Sequence, residues 1–348
     1  MKRGDTMDIS KRHEAIIKAI VSMYINGREP VASSALQDYL NMAVSSATLR
    51  NEMAYLTKQG FLNQPHVSAG RVPTNKAYRY YIENMGDEAI LTQKDKEYIK
   101  GHFDLLDHDS QRFLQGAAEL FSDLFKVTTI IAPPLDKDMK FANFNILKTG
   151  KYDVVLIGVT SRGDVHTRVI RLATEITNED INQLIRLVNT KLCFVSWKDV
   201  DKRYFDYLIK ELAGENKAYS QIIKGALALM KMANTQNIHL RGEQYLLKTS
   251  DFDANIADIL KVLSDKETVK NIITPKLDGV SVVFGDELPI KNIDNVCFIS
   301  KKFYVSSAVS GTFCVVCPQT VDYKKLFASI QYFTQLLSQT ITGTERNI

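Results

Sequence analysis

The sequence predicts an α+β chain of several domains, and three observations support this prediction. Its 348 residues are too many for one compact core and suit two or three domains of about 100–200 residues each. Helical periodicity dominates residues 11–60 and gives way to a short hairpin signal. Further along, three strand-like runs separated by turn sequences precede a group of helices, as in a domain with its own sheet.

The composition is that of an ordinary folded protein. Hydrophobic residues make up 45% and charged residues 24% of the chain, which excludes wholesale disorder. No apolar run approaches the ~18 residues of a membrane helix, and the first residues lack the apolar segment of a secretory signal. The four cysteines are too few and too dispersed for a disulfide scaffold. We therefore expect a cytosolic protein with no membrane partner.

The net charge of +4 is confined to the first quarter of the chain. Residues 1–85 hold eleven lysines and arginines against seven acidic residues, whereas residues 86–348 are electrically balanced. An anionic partner would therefore bind this first part of the chain.

Three helices are predicted before the hairpin. Ser10 caps the first, whose apolar residues recur at 3.6-residue spacing until an Asn-Gly pair ends it. SSALQDYL forms the second, with capping-box spacing between Ser34 and Gln37. The third begins after Ser45 and stops at Gly60.

The third helix is the candidate for base recognition. At 100° per residue, Leu49, Met53 and Leu56 share the face that packs on the core. The outward half near the N-terminus is slim and polar, and its guanidinium and amide groups suit guanine and adenine in a major groove. An ordinary solvated helix face is the alternative interpretation. The residues predicted to read base edges are Thr48, Arg50 and Asn51.

The segment FLNQPHVSAGRVPT predicts a β-hairpin, with extended stretches around residues 65–70. A hairpin that follows such helices is the wing of a winged helix-turn-helix, and its tip contacts phosphates or a groove edge. The residues predicted to contact the DNA backbone or to act from the wing are Ser45, Ser46, Lys58, His66, Ser68, Arg71, Lys76 and Arg79.

A fourth helix, capped by Thr74, follows the hairpin in NKAYRYYIENM. We expect it to bring Tyr78 and Arg79 close to the surface that carries the hairpin. Tyr80 and Tyr81 are expected to pack the helix onto the wing and the first helix.

A close resemblance to the amino-terminal domain of the HrcA family, bacterial heat-inducible transcription repressors, runs from AIVSMYINGREPVASSAL to VSSATLRNEMAYLTKQGFLNQPHVSAGRVPTNKAYRYYI. Its most specific part is SSATLRNEM joined to QPHVSAGRVPT. The resemblance is strongest over residues 12–82 and rests on the order of elements elsewhere. It implies a heat-shock repressor that is not an enzyme.

The resemblance also implies the partners. A homodimer would bind double-stranded DNA at an inverted-repeat operator, called CIRCE, upstream of chaperonin and Hsp70-system operons, because two-fold protein symmetry matches operator symmetry. Heat would relieve repression and the GroEL chaperonin would support the repressor, although direct unfolding by heat is an alternative switch. The protein would be bacterial and cytosolic, and nucleoid-associated when bound to DNA.

The rest of the chain fits the plan of that family, a GAF-like α/β domain interrupted by an inserted α+β dimerisation domain. FANFNILK, DVVLIGV and HTRVIRL form a meander that can bury one face against the helices that follow. We expect a winged helix-turn-helix domain at residues 1–88, a GAF-like domain at residues 89–135 and 235–348, and the inserted domain at residues 136–234.

One stretch departs from the family pattern. Where a Gly-Pro-Thr-Arg-Met-Asp-Tyr-like sequence is usual, this chain has CVVCPQTVDY, which keeps Pro318, Asp322 and Tyr323 but lacks the Gly and the Arg. No role of that Arg can be carried over.

No catalytic, cofactor or metal chemistry is indicated. Cys314 and Cys317 have C-x-x-C spacing but lie in a predicted strand, where residues three apart face opposite sides, so we expect buried small side chains. The run from Gly158 to Gly163 imitates the start of a phosphate-binding loop, but Asp164 stands where a lysine is required. We predict no enzyme activity and no cofactor.

Two other functions are compatible with the sequence. A winged-helix regulator could respond to a small effector bound in its GAF-like domain, by analogy of fold alone. The winged helix could also bind protein, which would make the chain an interaction scaffold.

Overall fold

The structure, a computed structural model, describes residues 9–41, 44–85, 91–106, 110–134, 139–161, 163–213, 216–234, 238–275, 279–306 and 309–343. These residues form a mixed helix and sheet architecture. The domain junctions predicted at residues 88–89 and 135–136 lie outside the described ranges, as does residue 235.

The N-terminal unit, residues 9–85, consists of helices and one hairpin. Its elements are α1 (Lys11–Gly27), α2 (Ser33–Leu40), α3 (Ser46–Lys58), β1 (Leu62–Asn63), β2 (Val72–Pro73) and α4 (Asn75–Asn84). The predicted caps Ser10, Ser45 and Thr74 are confirmed, because each side chain accepts a hydrogen bond from the backbone three residues later. The predicted cap of α2 is wrong: Ala32 is the N-cap and makes no side-chain bond, so Ser34 already lies inside the helix.

The three-stranded unit, residues 139–234, contains an antiparallel sheet and its helices. Its elements are β4 (Phe141–Lys148), β5 (Asp153–Thr160), β6 (Val165–Arg171), α7 (Asn178–Leu192), α8 (Lys202–Tyr207) with a π-helical continuation (Leu208–Ala213), and α9 (Lys217–Ala233). The sheet order is β4-β5-β6. Helix α7 packs on β4 and α9 on β5 and β6, and together they bury a hydrophobic cluster of their own.

The five-stranded unit is formed by chain on both sides of the three-stranded unit. Its elements are α5 (Gln93–Phe103), α6 (Ser110–Phe125), β3 (Thr128–Ala132), β7 (His239–Arg241), α10 (Glu243–Leu246), α11 (Ile256–Ser264), α12 (Lys266–Ile273), β8 (Ser281–Phe284), β9 (Val296–Tyr304), β10 (Ser310–Pro318) and α13 (Tyr323–Thr342). Every pairing in its sheet is antiparallel, in the order β7-β3-β10-β9-β8. Strands β3 and β7 are adjacent although the whole three-stranded unit lies between them in sequence.

The two faces of the five-stranded sheet have different neighbours. One face, with Ile130, Cys314 and Val316, packs against α11 and α12. The other face, with Phe313 and Cys317, joins α6, α13 and the N-terminal unit in one continuous hydrophobic cluster. The N-terminal unit is therefore packed directly on the sheet unit.

Candidate nucleic-acid interface

Helix α3 is held at its start by its own cap and by α2. The Ser45 hydroxyl accepts from the Thr48 backbone amide at 3.1 Å and lies 2.9 Å from the Thr48 hydroxyl. The hydroxyls of Ser33 and Ser46 are 2.9 Å apart and connect α2 to α3. Ser45, Ser46 and Thr48 therefore position the helix, in addition to any contact that they make with DNA.

The buried face of α3 matches the sequence prediction, since Leu49, Met53 and Leu56 are all buried. Arg50 and Asn51 are exposed on the other side, and Thr48 is half-buried. Neither Arg50 nor Asn51 forms a side-chain hydrogen bond or ion pair within the described part of the chain. The arrangement presents one guanidinium and one amide to solvent on a rigid helix.

A cluster that the sequence did not predict joins α1 to α3. Glu52 accepts a bond from Arg12 at 3.4 Å, and its other oxygen is 2.5 Å from His13 Nε2. The His13 ring stacks on Tyr55, with 4.8 Å between ring centroids. A carboxylate and a ring three residues apart on α3 were the available signal, because such residues share one side of a helix. The cluster therefore holds α3 against α1.

The side chain of Gln64 holds the hairpin loop in shape. The Gln64 side-chain amide donates to the carbonyls of Val67 at 2.8 Å and Ala69 at 3.1 Å. The paired strands flank residues 64–71, whereas the sequence placed extended chain around residues 65–70. His66, Val67 and Ser68 are exposed, and Val67 is 99% exposed at the tip. The loop is therefore held by the Gln64 side chain and presents a protruding, exposed tip.

Three basic side chains gather where α3 ends. Lys58 is exposed in the last turn, and Arg71 Nε donates to the Thr57 hydroxyl at 3.0 Å. Lys76 Nζ donates to the Gln59 carbonyl at 2.8 Å and lies 4.3 Å from the centre of the Phe61 ring. This brings positive charge close to the hairpin and to the exposed side of α3.

The fourth helix does not present Tyr78 and Arg79 as expected. Tyr78 is 2% exposed and packs on the five-stranded unit, where burial raises the pKa of its hydroxyl. Arg79 donates to the Val282 carbonyl at 3.0 Å and pairs with Glu287. The sequence pattern could not reveal this, because their partners lie about two hundred residues away. Tyr80 is half-buried and packs on Phe61 beside the hairpin, in line with the prediction. Tyr81 is buried, but its ring contacts Tyr323 of the five-stranded unit.

The cysteines follow the prediction. Cys314 and Cys317 are buried on opposite faces of the five-stranded sheet. Burial raises the pKa of the Cys314 thiol, and a hydrogen bond with Cys297 together with burial raises that of Cys317. Such thiols are inert, since the thiolate is the reactive form.

Among the described residues, no group of three or more His, Cys, Asp or Glu side chains is arranged to hold a metal ion.

An open depression of about 350 Å³ lies on the five-stranded unit, lined by Lys126, Tyr245, Lys248 and Thr249. No helix in the described ranges has both the length and the apolar character needed to cross a membrane.

The known proteins that this chain resembles are transcription repressors and not enzymes, which defines the class of this chain. The family model described as the HrcA protein C-terminal domain matches residues 111–327, and the chain belongs to the HrcA family. Curated relatives named heat-inducible transcription repressor HrcA include those of Carboxydothermus hydrogenoformans, 30% identical over 96% of this chain and 98% of the relative, and Lactobacillus acidophilus, 29% identical over 95% and 97%.

A solved structure supports the fold. A crystal structure of a hypothetical protein at 2.2 Å resolution is 22% identical, with a TM-score of 0.67, and covers 96% of this chain and 99% of that one. At this identity the likeness concerns the fold alone.

Proposed function

We propose that the chain represses transcription as a homodimer, in which two winged helix-turn-helix domains read the halves of an inverted-repeat operator of the CIRCE type. The observation that carries this proposal is the exposed polar side of α3, with Arg50 and Asn51 turned to solvent beside the basic hairpin. Thr48, Arg50 and Asn51 would contact base edges in the major groove. Ser45, Ser46, Lys58, His66, Ser68, Arg71 and Lys76 would contact phosphates or a groove edge.

Arg79 fits this list less well than the others. Its guanidinium is engaged by Val282 and Glu287, so contact with a phosphate would require that this pair first break.

The domain plan follows the units described above. We propose that the N-terminal unit is the winged helix-turn-helix, the five-stranded unit a GAF-like domain, and the three-stranded unit an insertion that dimerises. The adjacency of β3 and β7 supports an insertion, because the sheet continues as if the intervening chain were absent. The location expected in the cytosol and on the nucleoid follows from operator binding.

The dimer contact is proposed on the outer face of the three-stranded sheet, the side turned away from α7 and α9. Cross-strand pairs place Val155 beside Leu147 and Val169, and Val159 beside Val165. Leu147, Val165 and Val169 are between 49% and 71% exposed. Between these two rows, Ile157 continues the apolar side chains along β5. Exposed apolar side chains grouped on one sheet face are typical of an interface between subunits.

Replacing Val169 by aspartate tests this contact. We expect the dimer dissociation constant to rise by more than about a hundredfold, because an unpaired carboxylate in an interface costs about 3 kcal/mol or more. Analytical ultracentrifugation measures the constant, with Gln183→Asp on the outer side of α7 as control. An unchanged dimer in Val169→Asp would place the interface elsewhere.

Replacing Arg71 by alanine tests backbone contact. We expect binding to operator and scrambled duplexes to weaken alike. The slope of log affinity against log salt concentration should become shallower by about one, because one counterion fewer is released on binding. Arg71→Lys keeps the charge and should keep the slope. If alanine leaves the slope unchanged, Arg71 serves only to hold Thr57 and the hairpin.

The proposal as a whole is tested by fluorescence-anisotropy titration of a duplex carrying the inverted repeat against a scrambled duplex, at two salt concentrations, with and without a GroEL-type chaperonin. Preference for the repeat by about 10³ or more, lost when the repeat is halved, is expected of a dimeric repressor. Equal weak binding to both duplexes despite chaperonin would contradict it.

Relief by heat and support by GroEL belong to the same proposal. A marginally stable repressor loses activity when unfolded clients occupy the chaperonin, so transcription resumes. A yield of active repressor that is indifferent to added chaperonin at every temperature would favour direct unfolding by heat. The alternative of a small effector predicts a melting shift with a ligand of the five-stranded unit and no chaperonin effect.

A further inference from the structure

The N-terminal unit contacts the five-stranded unit through two ion pairs set apart from each other. At the end of α1, Arg28 donates to both carboxylate oxygens of Asp251, at 2.7 and 2.6 Å, and to the Thr320 hydroxyl. On α4, Arg79 pairs with Glu287 and donates to the Val282 carbonyl at 3.0 Å. Each arginine therefore joins two partners on the other unit.

Both acidic residues are held in place by their own unit. Asp251 accepts a bond from the Thr320 hydroxyl at 3.2 Å and from the Thr249 hydroxyl at 3.1 Å. Glu287 accepts from the Phe284 backbone amide at 3.0 Å through its other oxygen. Carboxylates fixed in this way offer defined positions rather than a diffuse negative charge.

The backbone of Arg28 adopts an uncommon conformation at the end of α1. Its φ is 58°, in the left-handed region that a residue with a side chain seldom adopts, and its amide caps α1 by donating to the Tyr24 carbonyl at 2.9 Å. Glycine usually takes this position after a helix. An arginine here directs its guanidinium to Asp251 from a fixed helix end.

Aromatic rings fill the space between the two pairs. Tyr78 lies 6.0 Å from Tyr323 and 6.4 Å from Phe284, measured between ring centroids, and Tyr81 lies 6.5 Å from Tyr323. The buried Tyr78 hydroxyl has no hydrogen-bond partner among the described residues. The rings hold the two units together, and the two ion pairs add directional contacts that constrain the angle between the units.

We propose that Arg28 with Asp251 and Arg79 with Glu287 form a two-point latch, which fixes the orientation of the N-terminal unit and thereby sets the half-site spacing that the repressor accepts. The inference rests on the proposed dimeric repressor. One added base pair moves a half-site by about 3.4 Å along the DNA and rotates it by about 35°. A reading helix fixed in orientation cannot follow this change.

The test uses the whole 348-residue chain with Asp251→Asn and Glu287→Gln combined. The matched control combines Asp253→Asn and Asp286→Asn, which removes two exposed neighbouring carboxylates and changes the net charge equally. Both proteins and the unmodified chain are titrated with duplexes whose spacer is lengthened or shortened by one base pair, and with a single half-site. The unmodified chain and the control should prefer one spacing by about tenfold, and the latch variant by less than about threefold.

Single half-site affinity should be the same in all three proteins, because the reading surface is unchanged. Charge reversal provides the rescue: Arg79→Glu alone should lose spacing preference, and adding Glu287→Arg should restore it. An unaltered preference in the Asp251→Asn, Glu287→Gln variant would overturn the proposal.

A measurement without DNA separates the latch from the repressor function. Spin labels at Ser68→Cys and Lys261→Cys, in a Cys193→Ser background, report the distance between the hairpin tip and α11. The distance distribution should be narrow in the protein with both ion pairs intact and in the control. It should be broad in the latch variant, Asp251→Asn with Glu287→Gln. If the distance distribution is equally wide in all three proteins, the latch is overturned even if the operator is bound. If the distribution broadens in the latch variant but no protein prefers the operator, the latch stands and only the proposed repressor function is refuted.

Discussion

Alanine at Arg50 is expected to lower the preference for operator over scrambled DNA by about ten- to a hundredfold. Arg50 is the exposed guanidinium on the outward side of α3, and a bidentate contact with guanine contributes about 1–3 kcal/mol of discrimination. Affinity for scrambled DNA should fall much less, because it depends on phosphate contacts. Paired anisotropy titrations measure both affinities at one salt concentration.

Two controls accompany this variant. Arg203→Ala removes an exposed arginine from α8 and should change neither affinity. Arg50→Lys keeps the charge but not the two-pronged donor geometry, so most of the preference should still be lost. If Arg50→Ala binds the operator as selectively as the unmodified chain, base readout by this residue is wrong.

Alanine at Gly70 is expected to destabilise the hairpin and abolish most operator binding. A Cβ atom there would lie 2.4 Å from the Val31 carbonyl oxygen and 2.8 Å from the Pro30 carbonyl carbon, and backbone atoms cannot rotate away. The bridge between Val31 and Arg71, with two backbone hydrogen bonds of 2.9 Å, would have to open. We expect a loss of about 1–3 kcal/mol in the free energy of unfolding.

Thermal unfolding followed by circular dichroism measures this loss, and anisotropy measures the loss of binding. Gly27→Ala is the control, because no atom lies within 4 Å of its added Cβ and its backbone is helical. That change should leave the melting temperature equal or slightly higher, since alanine favours a helix. A melting temperature as high in Gly70→Ala as in the control would mean that the hairpin accommodates the methyl group.

Local signals predicted much of the N-terminal unit correctly. Ser10, Ser45 and Thr74 cap helices because a short polar side chain bonds to a backbone amide nearby, which depends only on adjacent sequence. The apolar spacing of Leu49, Met53 and Leu56 likewise sufficed to orient α3. The same rule failed at α2, where the spacing of Ser34 and Gln37 fits a capping box one residue inside the actual helix start.

Contacts between distant segments could not be predicted. Arg79 has the charge and the sequence position expected of a phosphate-binding residue, yet its guanidinium forms an ion pair with Glu287. The burial of Tyr78 could not be predicted either, because a helical pattern does not reveal which second unit packs against the helix. The support of α3 by Glu52 and His13 was also missed, because each residue alone resembles an ordinary surface group.

The hydrophobic cluster shared by the N-terminal unit and one face of the five-stranded sheet has a thermodynamic consequence. Segments that bury side chains in one common core unfold cooperatively, so we expect no melting transition of the N-terminal unit separate from that of the five-stranded sheet. The three-stranded unit has a hydrophobic core of its own, so we expect it to unfold in a separate transition. A rise in temperature would thus unfold the N-terminal unit and the five-stranded sheet together in a single step, while the three-stranded unit keeps its fold until its own transition.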